Sequence, residues 1–439
     1  MAVSNTQLAF PAGIRTAGPG KPALLLRQNF AWTLAGNVAF SGSQWLMTVV
    51  LARLVGPEGV GQFALAVALA TPIVILSNLQ LRGVQATDTT GRFRFPEYFA
   101  LRVLTTALAL GGIALLASTS HYEMATLWVI AAIACAKGFE SLSDVCYGQL
   151  QQSETMDRIA ISMTMRGVLS MAALTAVLRI TGSLPWACAA MAAAWFAVLW
   201  AYDLPSVRIH GTRRDLILRS WRQSSFDRLK KLAVIAAPLG AVMMLLSLNS
   251  NIPRYFIERS YGFRELGIFA AIANFNATGT IVISALGQSA TPRLAHLYAQ
   301  GDYLPFGRLL GRLAGLGLLL GLGGVLGALV CGHFILRLVY GSQFATESVA
   351  LVWVMAAAGV GYVASFLGYG LTAARRFKIQ LPIFSGLTAL TVVFCFWLVP
   401  RSGAVGAAQA MLLVGVAQAL AMAYAVYLAL RHQKRVVAE

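Results

Sequence analysis

The chain has 439 residues, 58% of them hydrophobic and 11% charged, with 34 Lys+Arg against 16 Asp+Glu for a formal net charge of +18. A mean hydropathy of +0.70 leaves too little polar surface to cover a water-soluble globule of this size. This is the composition of an all-α polytopic membrane protein. It also gives no case for nucleic-acid binding, because no Gly-rich phosphate loop, zinc spacing or aromatic-basic platform accompanies the basic residues.

Met1 to Leu26 is polar with Gly and Pro and lacks the basic start, apolar core and cleavage site of a secretory signal, so the first helix is expected to be retained. Residues 1–28 read as a disordered cytoplasmic N-terminus. A spanning helix needs about 20 mostly apolar residues, since every backbone amide in lipid must be bonded within the segment. Twelve segments qualify. Six run approximately over Phe30–Ala52, Gly59–Leu81, Val103–Ser120, Met124–Tyr147, Ile159–Leu178 and Leu184–Tyr202, within an N-lobe of residues 29–203. Six more run over Leu232–Ile252, Leu266–Thr291, Leu313–Leu336, Ser348–Ala374, Ile379–Val399 and Ser402–Leu430, within a C-lobe of residues 232–430. A basic linker, 204–231, joins the lobes, and a basic tail, 431–439, closes the chain.

Lysines and arginines concentrate in alternate connections. With both termini cytoplasmic, 26 of the 34 fall on that side, seven (Arg53, Arg179, Arg254, Arg259, Arg264, Arg337 and Arg401) fall outside, and Lys137 lies within a span. That asymmetry fixes the expected orientation. In the linker, Leu216, Leu218, Trp221 and Phe226 interleave with Arg214, Arg219, Arg222 and Arg228. The pattern suits either an interfacial helix on anionic lipid or a solvated basic connection. The five cysteines, Cys135, Cys146, Cys188, Cys331 and Cys395, stand singly inside apolar segments and read as packing residues.

The segment Arg53–Ala64, RLVGPEGVGQFA, is echoed 206 positions later by Arg259–Ala270, RSYGFRELGIFA. Arg53 pairs with Arg259, Gly56 with Gly262, Gly61 with Gly267, Phe63 with Phe269 and Ala64 with Ala270. Both blocks follow an odd-numbered helix and six helices separate them, so the halves are expected to be parallel repeats about an axis along the membrane normal, forming a V with a central cleft.

Lys137, Glu140 and Asp144 share one face of the fourth helix. A charge at mid-membrane costs about 2.5–3.5 kcal/mol on insertion scales, so this face should look into protein or a wet cavity. Two readings stand: a self-neutralising Lys137–Glu140 pair that locks packing, or Lys137 as an anion contact with Glu140 or Asp144 as a proton or sodium site. Asn37, Ser41, Gln44 and Trp45 on the first helix, with Asn249, Asn251, Asn274, Asn276 and Gln288 on the seventh and eighth, supply amides either to neighbouring helices or to a cleft between lobes. Arg53 and Arg254 are placed near the outer end of that cleft and Arg82 near its inner end, where snorkelling to lipid phosphate competes with substrate contact. The substrate-binding candidates are therefore Lys137, Arg53, Arg82, Arg254, Asn37, Gln44, Trp45, Asn249 and Asn276.

The segment LARLVGPEGVGQFALA from Leu51 to Ala66, the stretch FESLSDVCYGQLQQSETMDRIAISMTMRGVLS from Phe139 to Ser170, and the helix count resemble the oligosaccharide flippases. These form the polysaccharide-transporter branch of the multidrug/oligosaccharidyl-lipid/polysaccharide exporter superfamily. The similarity runs from roughly Arg27 to Arg431 and brings no catalytic signature. It implies a multi-pass transporter of the bacterial plasma membrane with a MATE-like pair of six-helix lobes. Family members move undecaprenyl-pyrophosphate-linked sugar units from the inner to the outer leaflet for O-antigen, capsule or exopolysaccharide assembly, working beside a polymerase and a chain-length regulator. No cofactor is implied beyond an optional coupling proton or sodium. A multidrug cation antiporter of the same superfamily is the alternative. A membrane-embedded polymerase or ligase fits less well, because the longest outer connections, around Asn251–Glu265 and Gly332–Glu347, are short and His121 and His333 lack a carboxylate constellation.

Overall fold

A computed structural model describes residues 26–88, 91–207, 225–374 and 379–438 of the chain, and these form helices with no strand. Of the N-terminus expected to be disordered, residues 26–28 are helical; the remainder, and the amphipathic centre of the linker, fall outside the described residues. In chain order, α1 is Leu26–Leu54, α2 Gly56–Asn78, α3 Leu81–Thr87, α4 Phe95–Ser118, α5 Met124–Gln152 and α6 Met156–Thr181. Helix α7, Leu184–Val198, continues through a π turn at Leu199–Asp203 into the short α8, Leu204–Ser206. The second half comprises α9 at Phe226–Ala299, α10 at Tyr303–Val339, α11 at Ser342–Ala345, α12 at Ser348–Ala373 and α13 at Gln380–Ala438.

Among the described residues, nine helical segments are long and apolar enough to cross a membrane, which makes this a multi-pass membrane protein. Two are too long for one bilayer at 1.5 Å rise per residue: α9 has 74 residues and α13 has 59. Each is broken by a glycine outside helical geometry, Gly262 (φ 79°, ψ −170°) and Gly403 (φ 52°, ψ −128°). Both angles lie in the left-handed half of the map that glycine tolerates without cost. Gly262 is the repeat partner of Gly56, which also has positive φ and separates α1 from α2. Thus the segment expected as an outer connection, Asn251–Glu265, is helical up to a single hinge. The reason is packing: Ile252, Ile257 and Leu266 are buried in the main core, and helix keeps their amides bonded.

The breaks at Gly56 and Gly262 define one end of the bundle, the repeat end; α1 starts at the opposite, terminal end. At the repeat end the lobes touch. A Cβ on Gly61 would stand 1.9 Å from the Phe263 carbonyl oxygen, and one on Gly267 would stand 1.8 Å from that of Pro57. Gly61 and Gly267 are repeat partners, and so are Pro57 and Phe263, so one contact is used twice about an approximate two-fold axis. Tyr122 donates to Glu258 across the same interface at 3.2 Å, and Tyr255 donates to the Ala68 carbonyl. Towards the terminal end the lobes part: Thr48 and Ala271 are buried, whereas Asn37 and Thr280, further along the same helices, are exposed. The start of α9 crosses between lobes, with Leu229, Leu232 and Ala236 in one cluster with Leu81, Phe95 and Leu199 of the N-lobe and Arg228 paired to Glu97 at 2.9 Å.

Candidate functional site

The polar interior of the N-lobe is built on one face of α5. The spacing of three and four residues that places Lys137, Glu140 and Asp144 together aims each at a partner. Lys137 Nζ lies 2.8 Å from Glu140 and 5.7 Å over the Trp195 ring. Arg166 of α6 approaches the other Glu140 oxygen at 4.0 Å and lies over the rings of Phe40, Tyr147 and Trp195 at 5.0, 5.6 and 5.2 Å. Asp144 is held by Arg102 of α4 at 3.0 Å and Arg82 of α3 at 3.5 Å. Arg102 is 0% exposed and Arg166 3%. Sequence reasoning counted these arginines among the charges of the inner connections; the structure places their side chains inside the lobe, because α5 carries two carboxylates that need neutralising in low dielectric.

A third acid, Asp203, sits in the π turn and is 0% exposed. Its Oδ1 accepts from Ser162 at 2.5 Å, and Ser162 in turn contacts the Tyr147 hydroxyl at 2.6 Å. The Ser143 hydroxyl faces the same carboxylate. From sequence Asp203 falls just past the sixth span, Leu184–Tyr202, at the start of the basic connection, and is not a candidate. The signal missed was the Leu204-Pro205 pair immediately after it, since a proline inside helix forces the preceding hydrogen-bond ladder to re-register.

Between the lobes lies a cavity of about 280 Å³. Its lining takes Phe40, Ser41, Gln44, Trp45 and Thr48 from α1, Lys137 from α5, Trp195 from α7, and Arg254 and Asn274 from the two halves of α9. Arg254 bonds Asn251 Oδ1 at 3.3 Å, and among the described residues it has no carboxylate within ion-pair distance. Asn274 donates to Thr48 across the lobes at 3.1 Å. Among the described residues, the buried lining nitrogens without a partner include Gln44 Nε2, Trp195 Nε1 and Arg254 Nε. All three are donors. The cavity therefore carries two cations and spare N–H groups, an environment that favours oxygen-rich anionic ligands.

Of the substrate-binding candidates taken from sequence, the structure brings Lys137, Gln44, Trp45 and Arg254 into this cavity, together with Ser41 and Asn274 of the polar stripes, and leaves the other candidates apart from it. Arg53 is at the repeat end, where it donates to the carbonyls of Leu338 and Val339 and so ties α1 to the end of α10. Arg82 serves Asp144 and also donates to Gln151 at 3.0 Å. Asn37 donates to Thr33 on its own helix. Asn249 accepts from Thr391 at 3.1 Å, and the Asn276 carbonyl accepts from Tyr362 at 3.2 Å. Glu140 and Asp144, marked from sequence as coupling-ion candidates, are both engaged by cations. Trp195 and Asn274 complete the lining; the aromatic emerges as a cavity residue only when α7 is folded against α5.

Residues 26–298 match the model of the polysaccharide biosynthesis protein family. The capsular polysaccharide biosynthesis protein CapF of Staphylococcus aureus is 24% identical over 384 residues, which is 87% of this chain and 94% of that protein. In fold, the chain is similar to the lipid II flippase MurJ in an inward closed conformation, with a TM-score of 0.66 at 12% identity over 90% of this chain and 87% of that one. It is also similar to the Vibrio cholerae MATE transporter VcmN, with a TM-score of 0.62 at 15% identity over 94% and 96%. The chain is a multi-pass membrane member of the polysaccharide biosynthesis protein family, built on the fold shared by MATE transporters and MurJ.

Proposed function

We propose that this protein is a flippase that carries pyrophosphate-linked oligosaccharides on an undecaprenyl lipid from the inner to the outer leaflet of the bacterial plasma membrane, feeding polysaccharide assembly. The observation that carries the reading is the donor-only set of spare polar atoms in the inter-lobe cavity, set beside Lys137 and Arg254. A pyrophosphate head offers acceptors to those donors, and sugars stack on Trp45 and Trp195. The lipid tail, as apolar as the bilayer, stays outside through the gap between α1 and the second half of α9.

We count twelve spans by dividing α9 and α13 at their glycine breaks and adding α1; an even number puts both termini on one face, and the lysine and arginine bias of the connections supports a cytoplasmic one. On that topology the repeat end is outer and the opening faces inward, as loading from the inner leaflet requires. Moving about two negative charges outward across an inside-negative membrane gains roughly 2.3 kcal/mol per charge per 100 mV. We assign a coupling proton to Asp203, a fully buried acid bonded by a hydroxyl and without an ion pair among the described residues. A cation exporter is less compatible with the cavity, since Glu140 is held by Lys137 and Arg166.

The test is flipping of a fluorescent undecaprenyl-pyrophosphate oligosaccharide in proteoliposomes. Transport by the wild-type chain and its loss in Arg254→Met with normal expression are expected. Efflux of a cationic dye in place of the lipid substrate would overturn the assignment.

A further inference from the structure

We infer that the foot of α10 is a binding site for the phosphate of an anionic membrane phospholipid, separate from the inter-lobe cavity. Arg293 from the end of α9 and Arg308 and Arg312 from the start of α10 converge on one groove of about 220 Å³, floored by Leu297, Pro305 and Leu309. All three arginines are exposed, and among the described residues none makes an ion pair. Arg308 and Arg312 stand four apart on one helix face, an arrangement in which like charges repel unless an anion lies between them.

The chain above the groove fits a lipid tail. Continuing from Arg312 along the same face, Leu316 and Leu320 are exposed, with Leu319 beside them. At Gly307, Gly311 and Gly315 a Cβ would meet nothing within 4 Å, so the helix surface there is open and smooth. The site lies at the terminal end, since Tyr298 of the adjoining α9 segment bonds the Ala429 carbonyl near the chain's C-terminus. Topology alone asks only for arginines near a membrane face. Here three from two helices meet over an apolar floor, with an exposed leucine face rising from it, as a phosphate with attached acyl chains requires. This inference does not depend on the transported substrate.

The test titrates the full-length protein in neutral detergent with cardiolipin, phosphatidylcholine or inorganic phosphate, reading retained lipid by native mass spectrometry. Wild type is expected to retain cardiolipin over phosphatidylcholine. The Arg308→Gln/Arg312→Gln variant is expected to weaken retention by about fivefold per charge removed, while the charge-matched Arg179→Gln/Arg337→Gln variant keeps it. Equal weakening in both variants, no preference for cardiolipin in wild type, or displacement of the lipid by inorganic phosphate alone would each overturn the site.

Discussion

Gly61 and Gly267 hold the two lobes together by what they lack: each leaves room for a backbone carbonyl of the opposite lobe where its own Cβ would stand, that of Phe263 against Gly61 and that of Pro57 against Gly267. Because the two contacts are related by the repeat, strain at one is relieved by the same separation that relieves the other. Gly61→Ala and Gly267→Ala are each expected to destabilise the chain by about 1–3 kcal/mol through overpacking. The double variant is expected to cost less than the sum, since the lobes need part only once. Thermal unfolding of the three variants checks this; strict additivity would show the contacts to be independent.

The cavity cations are expected to separate by their partners. Among the described residues Arg254 has no carboxylate partner, so Arg254→Met strands no charge and gives up, besides its bond to Asn251, an attraction expected at about 1.5–3 kcal/mol for a charge-assisted bond to an anionic head group, with the fold retained. Lys137→Met strands Glu140 with Arg166 at 4.0 Å, and is expected to lower stability as well as affinity. Affinity for a soluble pyrophosphate-linked sugar, measured beside the unfolding temperature, distinguishes the two. Unchanged affinity in both variants would remove the cavity from substrate recognition.

Arg102 is the largest fully buried side chain in the molecule as described, and its guanidinium meets Asp144 at 3.0 Å. Arg102→Met is expected to cost about 3–5 kcal/mol, the range for removing one partner of a buried pair, lessened to the extent that Arg82 at 3.5 Å takes over. Adding Asp144→Asn is expected to restore much of the loss. Detergent unfolding of the single and double variants reads the rescue directly.

For Asp203, the isosteric Asp203→Asn keeps a carbonyl for the Ser162 hydroxyl and removes the titrating proton. The expected outcome is a folded carrier whose transport no longer responds to an imposed pH gradient but still responds to membrane potential. Infrared difference spectra taken on acidification provide a readout independent of transport: a protonated-carboxyl band present in wild type and absent in Asp203→Asn. The same band in both would move the proton elsewhere.

The Tyr122–Glu258 contact at the repeat end gives a pH-dependent tie between lobes. Burial, aided by the neighbouring Glu258 charge, pushes the Tyr122 phenol up from 10.0 to about 12. A folded pKa above the unfolded one favours folding below pH 10, and that contribution is lost as pH rises through about 12. Tyr122→Phe is expected to abolish this alkaline step in unfolding and to cost about 0.5–1.5 kcal/mol at neutral pH for the lost hydrogen bond. Superimposable pH profiles of wild type and variant would show that the tie contributes nothing.

The amino-acid sequence by itself determined the membrane class, the approximate places of the spans and the correspondence of Arg53–Ala64 with Arg259–Ala270, because hydropathy and local spacing are properties of the chain. It also placed Lys137, Glu140 and Asp144 on one face, since helical periodicity is local. Only the tertiary structure decided what that face meets. The burial of Arg102 and Arg166, the hydroxyl partners of Asp203, and the entry of Trp195 beside Lys137 all depend on helices distant in sequence. The same holds for Arg53, whose donation to the carbonyls at the end of α10 spans 286 positions to Val339. Arginines that read alike as charges of the connections are sorted into ion pair, interhelical tie and cavity lining by which helix packs against them, and that choice is fixed by the fold, not by the neighbours of each residue in the chain.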